Sequence, residues 1–279
     1  MTTKKTTFAL YFGNRGFFPG SLIAEARDQM VGALEGLGHD VLVMDANATR
    51  YGAVETAAEG AVYAEFLRQN RGKYGGVILS LPNFGDENGA VEALKDAGVP
   101  ILVQAFPDEL SQMAPETRRD AFCGKLSIMD MFTQCGIAFT ALKPHVVHPS
   151  SPAFADNVEY FDRVCRVVGG LKDMTVGSIG ARTTPFKSVR IDEAALQRHG
   201  ITVETVDMGE VIGRVRDLAD DDAAVQTKAA VLREHTSWGE TPPSSFLTIA
   251  KLGVVLDQII EELRLDAVAV RCWLELQKQ

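Results

Sequence analysis

Short, unbroken apolar runs, each followed by a stretch of helical periodicity, constrain this chain most. FALYF (8–12), VLVMD (41–45), GVILSLP (76–82), PILVQAF (100–106) and IAFTALK (137–143) carry consecutive rather than alternating apolar residues. A strand of that kind is buried on both faces, as in a parallel sheet covered by helices on each side. Residues 21–37 place Leu22, Ala26, Met30, Ala33, Leu34 and Leu37 on one helical face, with Ser21 as the expected N-cap and Gly38 as the stop. Residues 55–71, 90–97 and 116–134 also read as helices; in the last, Phe122, Leu126, Met129 and Phe132 form the expected buried stripe. Crossovers of roughly 20–30 residues suit βαβ units. Residues 1–150 are therefore expected to form a flavodoxin-like doubly wound domain.

HPSSP (148–152) marks the expected boundary, with two prolines and two serines. The pattern then restarts: a helix at 153–168, a strand MTVGSIG (174–180), a helix at 191–199 and a strand ITVETVD (201–207). Two helical stretches follow, of which 245–263 is apolar nearly all round, and DAVAV (266–270) closes the series. The fold class expected is α/β, with two Rossmann/flavodoxin-like doubly wound parallel-sheet domains. The second, 151–279, is expected to be cut short at its C-terminal end.

The balance of 28 basic against 37 acidic residues, a formal charge of −9, disfavours nucleic acid and anionic membranes as partners. A small neutral ligand suits it better. Four widely spaced cysteines, without CxxC, read as buried small hydrophobes in a reducing compartment, so a cytoplasmic location is expected. No stretch reads as a signal-peptide core, nor as the ~20 apolar residues of a membrane span.

In open α/β sheets, ligands bind beyond the carboxyl ends of the strands. After the first strand, GNRGFFPG lacks the spacing of a phosphate loop, and Arg15 among its glycines reads as a guanidinium offered to a ligand oxygen or as a surface arginine in a turn. In SLPNFGDENG, Asn83 and Phe84 could offer a hydrogen bond and a stacking face to a polyol, and Asp86 and Glu87 could act as acid and base; a plain turn explains the composition equally. His145 and His148, three apart in extended chain, point to opposite faces and do not suit a shared metal. GSIGARTTPF, with Arg182, reads as a hydroxyl or anion cradle or as a packing turn. The RDLADDDAA cluster (216–224) reads as a solvated loop and an acidic first helical turn.

FGNRGFFPG near the start, FCGKLSIMDMFTQCGIAFT (122–140), VGSIGARTTPF with VRIDEAALQRHGITVETVDMGEVI (176–212) and DAVAVRCWLELQ (266–277) together resemble the L-fucose isomerase-like family, which shares its fold with L-arabinose isomerase. The resemblance implies an aldose–ketose isomerase working through a cis-enediol with a divalent cation, usually Mn²⁺. It implies a small-molecule sugar substrate and a homo-oligomer, trimeric or hexameric. It makes Arg15 and Arg182 substrate contacts, and Glu275 the metal-binding and catalytic glutamate. The family's further β-rich domain has no counterpart here, so this chain is expected to be the N-terminal part, inactive alone. The alternative is a non-catalytic module that binds a sugar or sugar acid.

Overall fold

The computed structural model describes residues 5–278. The chain divides into two compact units, 1–169 and 170–279.

The first unit is a four-stranded parallel sheet in the order β2–β1–β3–β4, with β1 Phe8–Phe12, β2 Val41–Val43, β3 Gly76–Leu81 and β4 Ile101–Ala105. β1, β3 and β4 are buried along their whole length, as their continuous apolar sequence requires. Helices α1 (Ser21–Gly36) and α5 (Pro152–Leu171) cover one face. Helices α2 (Ala57–Gln69), α3 (Glu87–Leu94) and α4 (Ala121–Gln134) cover the other. On the α5 side, Phe8, Met30, Phe154, Val158 and Phe161 share one cluster; on the opposite side Tyr11, Tyr63, Leu79, Ile128 and Phe132 share another.

The second unit is a three-stranded parallel sheet in the order β6–β5–β7, with β5 Thr175–Ile179, β6 Thr202–Val206 and β7 Ala267–Val270. A short helix, α6 (Glu193–Arg198), links β5 to β6. Three helices separate β6 from β7: α7 (Met208–Asp217), α8 (Ala223–His235) and α9 (Pro243–Leu263). Both units are thus α/β with parallel sheets, the class expected.

Several local expectations are corrected. Residues 137–143 do not form a fifth strand; only Thr140 pairs, with Leu102, through Val103 N–H to its carbonyl (3.0 Å) and its own N–H to Ile101 O (2.7 Å). Gly20, not Ser21, caps α1. The buried face of α4 is Ala121, Gly124, Lys125, Ile128 and Phe132, while Phe122 and Leu126 are exposed. Three helices, not two, precede β7. Only Cys165 is buried; Cys123, Cys135 and Cys272 are exposed. Helix α9 is long and apolar enough, by length and composition alone, to cross a membrane, contrary to expectation. Here its Val254, Val255 and Ile259 are buried in the second unit's core, and Lys251 pairs with Asp220 at 2.7 Å. The units part at 169/170 rather than at 150/151, because α5 packs on the first sheet through Phe154, Phe161 and Cys165.

Candidate functional site

The polar residues of the first unit gather at the carboxyl ends of β1 and β3. Beyond β1 the chain continues beside Val54: Val54 N–H donates to Phe12 O (2.9 Å) and Asn14 N–H to Val54 O (3.0 Å). That pairing brings Glu55 to Asn14, whose Nδ2 donates to the Glu55 carboxylate. Asn83 Nδ2 in turn donates to Asn14 Oδ1. The Asn83 side-chain oxygen accepts from Arg15 N–H (3.3 Å) and Gly85 N–H (3.2 Å). Asn14 and Asn83 are both fully buried, so every group they use is an internal one.

Arg15 rests on this foundation. Its Nε donates to Gly85 O (2.7 Å), its Nη2 pairs with the Glu87 carboxylate, and its guanidinium lies 4.6 Å from the centre of the Phe84 ring. Glu87 also accepts from the Ser127 hydroxyl on α4. Burial pushes the Glu87 carboxyl up, but the Ser127 hydroxyl, its own N–H and Arg15 together outweigh that and hold it below the ordinary carboxylate value. The backbone allows this closeness because glycines stand on both sides of the contact: Gly85 in the loop sits at φ +76°, and a Cβ on Gly124 of α4 would overlap the Phe84 carbonyl. The Arg15 side chain stays 27% exposed, and its Nη1 has no acceptor among the described residues. This edge can hold a guanidinium rigidly and offer its outer N–H groups to a ligand oxygen. Asp86 plays a structural part, capping α3 by accepting from Gly89 N–H (2.7 Å).

In the second unit, Arg182 and Glu275 lie near the carboxyl ends of β5 and β7. Arg182 Nη1 donates to the carbonyls of Thr183 (3.3 Å), Thr184 (3.0 Å) and Phe186 (3.4 Å), which folds the loop after β5 around its own guanidinium. Glu275 pairs with Arg271 Nη2 and accepts from Leu274 N–H (3.0 Å). Its own backbone N–H and the Arg271 guanidinium lower its pKa. Arg271 Nη1 reaches Ala181 O at 3.3 Å, tying the end of β7 to the loop after β5.

The structure therefore brings Arg15 together with Asn83 in one unit, and Arg182 close to the Arg271–Glu275 pair in the other. Arg271 was missed by sequence reading; a lone arginine after a strand has no pattern to mark it. Glu87 stood out only as one acid among several, and its bond to Ser127 depends on how α4 docks.

The described residues do not fit a divalent cation. No three His, Cys, Asp or Glu side chains among them converge, and Glu275 is engaged by an arginine rather than by further carboxylates. His148 bonds Ser150 Oγ (2.8 Å) and meets the Phe106 ring edge-on. Asp222 of the acidic cluster caps α8 through Ala224 N–H (2.8 Å).

Comparison with known proteins adds a family to this geometry. No curated protein matches the chain. Among solved structures, a carbohydrate transporter from Acidothermus cellulolyticus 11B in complex with myo-inositol is 12% identical, with a TM-score of 0.26, 95% of this chain and 73% of that one being covered. The apo form of D-lactate dehydrogenase from Escherichia coli is 11% identical, with a TM-score of 0.24, covering 71% of this chain and 60% of that one. Such distant likenesses say nothing of a ligand. The family model described as fucose/sulfoquinovose isomerase, N-terminal domain, matches residues 9–172. That span runs from β1 to just past α5 and holds the whole Arg15–Asn83–Glu87 network, and the chain belongs to the fucose/sulfoquinovose isomerase family through this N-terminal domain.

Proposed function

We propose that the chain is the sugar-binding N-terminal part of an aldose–ketose isomerase of the L-fucose/L-arabinose type, and that it does not complete a catalytic set alone. The family match over 9–172, with the Arg15 edge inside it, carries this reading. The buried Asn14–Asn83 pair fixes the backbone of the loop, Gly85 O and Glu87 fix the guanidinium, and Phe84 gives it a flat seat. Arg15 then offers donors to sugar hydroxyl oxygens without further ordering cost. In the complete reaction a divalent cation, Mn²⁺ by family resemblance, would polarise the carbonyl and hydroxyl oxygens on the way to the cis-enediol. No three His, Cys, Asp or Glu side chains among the described residues converge to hold it. A homo-oligomer belongs to the same proposal.

Calorimetry of the chain with L-fucose, L-arabinose and related aldoses, beside a ketose assay with added Mn²⁺, tests both parts. Binding without turnover is expected. An absence of binding at millimolar sugar overturns the sugar-binding role, and Mn²⁺-stimulated conversion overturns the incomplete set. The binding-module reading predicts binding that Arg15→Gln abolishes while added Mn²⁺ changes nothing; an isomerase part predicts the same loss with a Mn²⁺ response once the complete catalytic set is present.

A further inference from the structure

The second unit holds a cavity of its own, lined in part by Arg182, to which the family resemblance gives a substrate contact. Core packing against α7 and α9 covers the face of the β6–β5–β7 sheet that carries Ile179 and Val206. The opposite face presents Val176, Ser178, Val203, Thr205 and Ala269 to a cleft of ≈ 870 Å³. That size lies within the range of small-molecule sites, roughly 300–1,000 Å³. The loop after β5 and Leu196 of α6 form its far side. At one end Phe186 and Trp273 meet edge to face with centroids 5.2 Å apart, and Thr183 Oγ1 donates to Trp273 O (3.5 Å). Both rings remain partly exposed, at 39% and 47%.

The charge around this cleft runs against that of the chain. The protein carries −9, yet the cleft is lined by Arg182, Arg190 and Arg271 against Glu193 alone. Glu275 answers Arg271. Arg182 spends only Nη1, on loop carbonyls, and Arg190 spends only Nε, on Lys187 O (3.1 Å). Their remaining N–H groups have no acceptor among the described residues. An apolar floor rewards an apolar body, and unspent guanidinium donors reward an oxyanion. On the floor only the Ser178 and Thr205 hydroxyls could pair with a sugar's several hydroxyls, and the rest would lie over Val176, Val203 and Ala269.

We propose that this cleft binds a small amphipathic anion. An apolar or aromatic body rests on the sheet face and the Trp273 edge, and a single carboxylate, sulfonate or phosphate head sits at Arg182 and Arg190. The assignment rests on the second unit and gives Arg182 an anion in place of the sugar that the resemblance implies, whereas the proposed sugar-binding edge rests on Arg15 of the first unit.

The test titrates the full chain with 4-phenylbutyrate, its neutral amide and inorganic sulfate, read by calorimetry and by tryptophan emission. The acid is expected to bind with Kd below about 1 mM, and the amide about fivefold or more weaker. Arg190→Gln, at an exposed position, is expected to weaken the acid by about fivefold while leaving the amide unchanged. Arg198→Gln, also exposed and outside the cleft, is expected to change neither. Equal binding of acid and amide, indifference of the acid to Arg190→Gln, no binding at millimolar ligand, or displacement of the acid by equimolar sulfate each overturns the proposal. Sugar titrations of the same samples keep its failure distinct from that of the sugar reading.

Discussion

The Lys125 side chain is 2% exposed on α4, with Nζ donating to the His145 carbonyl at 2.9 Å. Burial lowers its pKa from 10.5 to about 8. Between those two values the unfolded chain binds more protons than the folded one, so stability rises with pH across that window. Below it both states are protonated and the full cost of burying the ammonium, on the order of 3 kcal/mol, is present. The unfolding free energy of the wild type minus that of Lys125→Met should therefore climb from about pH 8 to about pH 10.5 in paired urea melts. A flat difference would mean that the lysine is hydrated in solution. One residue earlier, Gly124 lets α4 lie directly on the Phe84 carbonyl, where a Cβ has no room and the neighbour is backbone that cannot swing aside. Gly124→Ala should cost about 3 kcal/mol and should also weaken sugar binding, since Phe84 seats Arg15. A loss under about 1 kcal/mol in denaturant melts would show that the helix shifts freely.

Helix α9 runs along a seam between two apolar clusters of the second unit. Val255 and Ile259 share a cluster with Ile179 of the sheet and Val211 of α7, while Phe246, Ala250 and Val254 face α8 with Val225 and Ala229. An element apolar nearly all round is needed there because it has two partners. Ile259→Ala removes a fully packed side chain at this seam and should destabilise the unit by about 3 kcal/mol; a cost below about 1 kcal/mol by denaturant titration would mean the cavity collapses. Strands β1, β3 and β4 were legible in the sequence because burial on both faces leaves an unbroken apolar run, whereas β5, β6 and β7 are only partly buried and showed themselves by β-branched residues between helical stretches. The eighth expected strand failed because its segment pairs only at Thr140 and then turns away at Pro144. The face of α4 was illegible for a related reason. Two of its large apolar residues, Phe122 and Leu126, stay outside, while a glycine and a lysine go in beside Ile128 and Phe132 to meet a carbonyl and a loop that periodicity cannot see. At the site, the glycine-flanked Arg15 could be read, but the pairing that fixes it could not, since Glu87 and Ser127 are 72 and 40 residues from their partners.

At the scale of the whole chain, the first unit holds what an independent domain requires. Its sheet is covered on both faces, and α5 closes the second face before the chain reaches Gly169 and Gly170. Phe161 stacks on Phe8 at 5.5 Å, and Asp162 Oδ1 accepts from Thr6 N–H at 2.9 Å, so α5 is bound to the first strand rather than serving as a linker. A fragment ending at Leu171 should therefore fold alone and unfold cooperatively. Its three cysteines report on this directly. Cys123 and Cys135 are exposed on or beside α4, whereas Cys165 lies in the α5 cluster and burial pushes its thiol up to about 12. Thiolate is the reactive form, so at mildly alkaline pH iodoacetamide should label the first two and spare the third until denaturant is added. Equal labelling of all three in the native fragment would mean that α5 does not hold to the sheet alone, and that the first unit needs the rest of the chain to close its core.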